Sequence, residues 1–151
     1  MAEKAESLVV SAKKWATYYG EFSNGEKGAA LTAALRFRAA WEENDPDALA
    51  GVFLDNGSML SGHIELKNRR EIRDYHAEAF RGGFRGTRLA EVPREVTLVN
   101  DSVAIAITEG GIVRDGADTP EPADTFRCMW VIVKRDGDWR IASHQTSPMR
   151  G

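Results

Sequence analysis

The stretch DTFRCMWVIVKRDGDWRIASHQTSP, residues 124–148, decides the fold. Asp136-Gly137 is a two-residue turn of the kind that joins antiparallel strands, and β-branched and aromatic residues run on both sides of it. With that turn as the register, Lys134 faces Trp139, Ile132 faces Ile141, Trp130 faces Ser143 and Met129 faces His144. One side of the ribbon then carries Cys128, Trp130, Ile132, Trp139 and Ile141. The other carries Met129, Val131, Val133 and Ala142, with Arg127, Arg140 and His144 among them. A sheet that covers helices on one side and meets water on the other should alternate cleanly. Here both sides are substantially apolar. The second side therefore needs a cover, most economically another copy of the same sheet, and a homodimer through the sheet is expected.

Working back along the chain, 102–114 and 87–99 also read as strands, joined by a tight turn at Asn100-Asp101. Pro93 marks an edge or a bulge, and the loop 115–123 carries Pro120 and Pro122. Upstream the period changes to that of helices. Ala30, Ala34, Phe37 and Trp41 form a stripe over 28–43. Asp45-Pro46-Asp47 supplies an N-cap, a proline at the first helical position and an acid in the first turn of a short helix over 46–54. Asp55-Asn56-Gly57 closes it, and 58–61 is a brief strand ended by Gly62. Asn68, with Glu71 three residues on, starts a third helix whose stripe is Ile72, His76, Ala79 and Phe80 and whose end is Gly82-Gly83. The order is α-α-β-α-β-β-β-β: an α+β domain over 28–151, with a four-stranded antiparallel meander after the helices.

Residues 1–27 read as an N-terminal extension. Leu8, Ala12, Trp15 and Tyr19 share one helical face, and the glycine-rich run from Gly20 to Gly28 breaks it. Trp15, Tyr18, Tyr19 and Phe22 would pin the extension to the body or to a partner subunit, or else cover a pocket as a lid.

Composition narrows the function. The 151 residues are 42% hydrophobic and 28% charged, enough for one domain with a sizeable core. Twenty Lys and Arg against 23 Asp and Glu give a net charge of −3, which argues against bulk attraction to nucleic acid or to an anionic membrane. The single cysteine, Cys128, excludes an internal disulfide and sits in an apolar run as a small hydrophobe. No signal peptide or apolar run of transmembrane length is evident, so a cytoplasmic setting is expected. The three histidines are dispersed and no glycine-rich phosphate loop precedes a helix, so neither a metal nor another cofactor is expected.

The stretch AAWEENDPDALAGVFLDNGSMLSG, residues 39–62, followed by the third helix and RDGDWRIASHQTSP, residues 135–148, resembles the nuclear transport factor 2-like (NTF2-like) superfamily. Within it the pattern is most similar to SnoaL-like proteins and to the SgcJ/EcaC type of enediyne polyketide biosynthesis. The resemblance spans 28–148. It implies a strongly bent sheet wrapped around three helices as a cone, a mostly apolar pocket at the open end, and dimers through the sheet. It also implies a hydrophobic polyene or related polyketide intermediate as ligand. The fold hosts isomerases, cyclases, dehydratases, hydrolases and plain binders, so the chemistry must come from the residues. Ketosteroid isomerase, the best-understood enzyme of this shape, uses an aspartate base with a tyrosine and a protonated aspartate as oxyanion donors. Matched on Asp45, Phe53 and Asp55, its tyrosine falls on Phe37 and its base on Ser61, so two of the three groups are missing here.

The remaining candidates each have a structural alternative. His144, at the end of the last strand, is the leading general acid or base, or else a histidine bonded at the sheet edge or dimer contact. His76 lies on an apolar stripe, as a second proton-transfer group or a satisfied core histidine. Ser61 is an orienting hydroxyl. Arg127 would hold an enolate or carboxylate oxygen near His144, or form an ordinary ion pair. Phe37, Trp41, Met59, Tyr75, Glu109, Met129 and Trp130 are candidate pocket residues, some of them equally suited to the core or, for Glu109, to a solvated strand end. His63 reads as a surface loop residue. The stretch from Lys67 to Arg94 holds eight basic residues against four acids. It would suit an acidic partner such as a polyketide synthase carrier protein, or simply be a solvated helix face. The leading expectation is a pocket protein that steers cyclisation or rearrangement of a polyketide intermediate; the rival is a non-catalytic binder or chaperone for it.

Overall fold

The computed structural model describes residues 25–149; the aromatic segment Trp15–Phe22 and the helix expected around it lie outside the described residues. The order is α1 (Gly25–Glu42), α2 (Pro46–Gly51), β1 (Phe53–Ser61), β2 (Ile64–Leu66), α3 (Arg69–Arg81), β3 (Arg88–Asn100), β4 (Val103–Val113), a 3-10 turn (Pro122–Asp124), β5 (Thr125–Arg135) and β6 (Asp138–Pro148).

Local chemistry sets the ends of these elements. The Asp45 carboxylate accepts from the Ala48 amide at 3.0 Å with Pro46 in the first turn, fixing the start of α2. Asn68 accepts from the Glu71 amide at 2.9 Å, and Glu71 reaches back to the Lys67 amide at 3.0 Å, so α3 starts on a reciprocal cap. Asp136 (φ 52°) and Gly137 (φ 79°) both have positive φ, the pattern a tight hairpin turn needs to match strand twist. The glycine-rich run expected to separate extension from domain does not do so throughout, because α1 already begins at Gly25.

The six strands form one sheet in the order β2-β1-β6-β5-β4-β3. β3 to β6 form the expected antiparallel meander, but the sheet as a whole is mixed and not antiparallel, because β1 runs parallel to β6, pairing Met59 with His144 and Ser61 with Thr146. The expected brief strand is the end of a nine-residue one, and Asp55-Asn56-Gly57 forms an irregularity inside it, where the register to β6 shifts between Phe53 and Ser58. β2, unforeseen from sequence, pairs antiparallel with β1. Pro93 lies on the edge strand β3, at a register shift between Pro93 and Glu95, as expected of a residue that cannot donate to a ladder.

The hairpin β5–β6 differs from the simple register in one respect that matters for the site. Lys134 faces Trp139 and Ile132 faces Ile141, but Ala142 is an extra residue on β6, so Val131 faces Ser143, Trp130 faces His144 and Met129 faces Gln145. A bulge of one residue moves every later side chain to the other face. His144 thereby leaves the face of Met129 and joins that of Trp130. Cys128, Trp130, Ile132, Trp139 and Ile141 are buried in the continuous core with α1 and its neighbours, so this is the face of the hairpin that looks inward.

Candidate functional site

A cavity of about 360 Å³ lies between the helices and the inner face of the sheet. α1 contributes Phe37 and Trp41, the end of β1 Met59 and Ser61, and α3 Tyr75 and His76. The sheet side adds Leu89, Glu91, Phe126, His144 and Thr146, and the exposed Gly62, His63 and Pro148 mark the mouth. Phe37 and Trp41 wall this space without filling it. Phe37 lies tilted against Trp41 at 6.1 Å and meets Trp130 edge-on at 5.2 Å, while Trp41 packs edge-on against Phe80 at 5.3 Å. These contacts fix an apolar wall by shape. The Trp41 indole donates to Thr87 at 2.9 Å, which satisfies its only polar atom away from the cavity.

His144 is 3% exposed, its ring 4.1 Å from that of Trp130 and 5.1 Å from that of Phe37. Neither ring nitrogen has a hydrogen-bond partner. Burial, with a smaller contribution from His76, holds its pKa down at about 3, so the imidazole is neutral near pH 7. It then offers one donor and one acceptor and carries no charge. His76 is the satisfied member of the pair: its Nδ1 lies 2.7 Å from the Ile72 carbonyl, a bond within its own helix, and burial lowers its pKa as well. The ring sits 5.7 Å from Trp41 and 5.1 Å from Tyr75.

The acid of this site is one the sequence reading passed over. Glu91, on β3, is 7% exposed and lines the cavity. Thr108 on β4 donates to its Oε2 at 2.6 Å and itself accepts from the Trp130 indole at 2.9 Å. Burial outweighs the Thr108 bond and the nearby Arg38 charge, pushing the Glu91 carboxyl up to about 7. A signal existed: Glu91 stands two residues after the buried Leu89, on the inward phase of the strand, before Pro93 disturbs the alternation. Thr108 similarly continues the inward series of Ala104 and Ala106.

Four expected site residues lie elsewhere. Arg127 and Met129 are exposed on the outer face, and Glu109 faces Arg127 across the ladder there, with Arg127 Nη2 3.2 Å from Glu109 Oε1 and Arg94 Nε 3.5 Å from its Oε2. The bulge at Ala142 separates them from His144, so Arg127 cannot hold a ligand oxygen beside it. Trp130 is in the core behind His144 and Thr108, off the cavity wall. His63, read as a loop residue, is exposed and also stands at the mouth. On the rim, Arg114 grips Asp124 at 3.0 and 2.8 Å and the Gly83 carbonyl at 3.0 Å, tying the loop after α3 to the 3-10 turn. The basic face of α3 is partly neutralised within the chain, Arg69 by Asp55 at 2.7 Å and Arg73 by Asp47 at 2.8 Å. Among the described residues, no three His, Cys, Asp or Glu side chains gather as metal ligands would, and no helix is long and apolar enough to cross a membrane.

Solved structures share this architecture. A domain of unknown function with a cystatin-like fold from Nostoc punctiforme superposes with a TM-score of 0.76 at 21% identity, over 83% of this chain and 78% of that one. An NTF2-like protein with a cystatin-like fold from Novosphingobium aromaticivorans gives 0.73 at 16% identity, over 83% of each chain. A ketosteroid isomerase-like protein from Erwinia carotovora atroseptica gives 0.66 at 20% identity, over 85% of this chain and 99% of that one. At such identities the likeness establishes the fold, an NTF2-like α+β architecture with a mixed sheet. No curated protein matches the chain significantly. The sequence pattern of the SnoaL-like domain, however, matches residues 30–151, and with the cavity and the sheet in place the chain belongs to the SnoaL-like domain family.

Proposed function

We propose that this protein encloses a hydrophobic polyketide intermediate, of the polyene type handled by SgcJ/EcaC-like proteins, and assists its cyclisation or rearrangement in the cytoplasm without a cofactor. The observation that carries the reading is His144: a buried imidazole at an apolar cavity with both nitrogens unpartnered. A buried polar group left unsatisfied costs about 1–3 kcal/mol. A ligand with one carbonyl or hydroxyl oxygen would recover that loss. The neutral ring suits it to orient and polarise such an oxygen more than to carry a proton at pH 7. Tyr75, Ser61, His76, Glu91 and Thr146 belong to the polar part of a wall whose apolar part includes Phe37, Trp41, Met59, Leu89 and Phe126. The cavity volume falls in the range used for small-molecule ligands.

The non-catalytic reading, a chaperone that shelters the intermediate or delivers it to a synthase or carrier protein, is favoured by Phe37 and Ser61. Both line the cavity, and on the match through Asp45, Phe53 and Asp55 they stand in place of a ketosteroid isomerase's tyrosine and base. A second copy of the chain on the outer face is part of the same proposal. Ile105, Ile107, Val131 and Val133 are half-buried there around the exposed Met129.

Calorimetric titration with 2-naphthol, an apolar bicycle with one hydroxyl, tests the cavity. Wild type should bind saturably and His144→Phe about tenfold more weakly, the worth of one hydrogen bond. Equal affinity in the two would remove His144 from the binding role. Adding the purified protein to a conjugated polyene ketone separates catalyst from chaperone, since only the catalyst accelerates product formation.

A further inference from the structure

We infer that Glu91 is the proton-exchanging group of this cavity, passing a proton between its Oε1 atom and a carbonyl-bearing hydrophobic ligand. The inference rests on the cavity reading above and adds the residue and the ligand chemistry.

The hydrogen-bond directions single out the atom. An indole N–H only donates, so the Trp130 bond makes the Thr108 oxygen an acceptor, and the Thr108 hydroxyl proton goes to Glu91 Oε2. With Oε2 taken by the Thr108 hydroxyl, Oε1 is the oxygen left to exchange a proton with a ligand. The chain Trp130–Thr108–Glu91 links β5, β4 and β3, so the carboxyl is held by the rigid middle of the sheet and not by a loop.

Glu91 also occupies a boundary. Together with Thr125 it borders both the inner cavity and a second groove of about 400 Å³ along β3 and β4, lined by Arg38, Arg94, Glu109, Pro120 and Met149. A proton taken from a ligand on the inside therefore has solvent-side groups to leave through. The charged and titratable groups that share the cavity of Glu91 are Tyr75, His76, Arg114, Asp124 and His144, with His63 at the mouth. Arg38 from α1 acts on Glu91 electrostatically, Cys128 from β5 is held as a neutral thiol by burial, and Arg94 and Glu109 stand in the groove. Its pKa of about 7 places both protonation states within reach near neutrality.

The step balances without a co-reactant. Glu91 Oε1 takes a proton from the carbon next to the ligand carbonyl, the C–H electron pair becomes the C=C bond of an enolate, and the carbonyl π pair moves onto oxygen. The neutral His144 donates its N–H to that oxygen. Return of the proton to the same carbon, or to a conjugated one, restores the carbonyl and the carboxylate.

2-Tetralone, an apolar bicyclic ketone with an acidic α-carbon, is a suitable probe, and its deuterium exchange in heavy water is followed by NMR. Wild type is expected to accelerate exchange at least tenfold over buffer, with a rate rising through about pH 7. Glu91→Gln should still bind 2-tetralone saturably and lose the acceleration, and Glu91→Asp should retain part of it. Binding without acceleration, or equal rates in wild type and Glu91→Gln, overturns the role of Glu91 and leaves the cavity reading intact. Failure of 2-tetralone to bind would instead overturn both. A carbon-13 titration of the glutamate carboxyls without ligand gives a second readout: a resonance moving near pH 7 in wild type and absent in Glu91→Gln is expected, and its absence from wild type overturns the inference.

Discussion

On the outer face of β4 and β5, Glu109 and Arg127 meet across the ladder in the open; one residue along, on the inner face, Thr108 and Trp130 join Glu91 in a buried chain. The residue types are comparable, since each group pairs a carboxylate with donors on a neighbouring strand. On the outer face, water screens the charges and the pair is worth about 0–1 kcal/mol. On the inner face, loss of water moves the protonation of Glu91 upward and that of His144 downward, so both groups differ from their free forms in a direction that chemistry can use. The contrast shows that the strand pleat, which chooses the face, is what turns an ordinary polar residue into a candidate functional one.

The most damaging test of this contrast is Gly110→Ala. Gly110 lies on β4 opposite Glu91, and any Cβ there would collide with the Ala90 carbonyl oxygen and crowd the Glu91 backbone. The strand pair must separate to admit it. We expect a loss of about 3 kcal/mol or more in urea unfolding, and an NMR-detected fall of the Glu91 pKa toward that of an exposed carboxyl. An unaffected Glu91 would show that burial, and not the close approach at Gly110, sets its state.

The next effect is a cancellation. Glu91 has a native pKa of about 7 against an ordinary 4.5, so its neutral form supports the fold fully below pH 4.5, and this support is lost as pH rises through 7. The shift corresponds to about 3 kcal/mol. His144 acts oppositely: at about 3 against 6.5, its support is complete above pH 6.5 and lost as pH falls toward 3. Between pH 4.5 and 6.5 the two slopes oppose one another. Wild-type stability should be nearly level there, Glu91→Gln should gain stability with rising pH, and His144→Phe should lose it. Parallel curves for all three proteins would remove both groups from the linkage. The smallest effect belongs to the outer face: Arg127→Ala should cost under about 1 kcal/mol and leave 2-naphthol binding unchanged. A loss of binding there would erase the distinction between the faces.

The sequence made the caps at Asp45 and Asn68, the turn at Asp136-Gly137 and the two apolar faces of the last hairpin legible, because each is written in residues close along the chain. It also made Phe37, Trp41, Met59, Ser61, Tyr75, His76 and His144 legible as cavity candidates, all of which line the cavity. Arg127 and Met129 were misplaced for one reason: a regular hairpin register assigns His144 to their face, and one extra residue at Ala142 reverses it. Glu109 ends the series Val103, Ile105 and Ile107 on the outer face, so it pairs with Arg127 there, away from the cavity. No local rule demanded that bulge, which accompanies the parallel pairing of β6 with β1, a contact between segments some 85 positions apart such as Ser58 and Ser143.

The amino-acid order by itself determined which segments become helices and strands, where they stop, and that both sides of the final ribbon repel water. Those outcomes follow from backbone preferences and from the periods 3.6 and 2, which act over a few residues. Tertiary structure alone decided that β1 joins the sheet edge to edge with β6, that His144 turns inward beside Trp130, and that Glu91 meets Thr108 in the dry interior. The reason is physical: a side chain's protonation and partners depend on what excludes water around it, and here that wall is assembled from five strands and two helices that no short window of sequence contains.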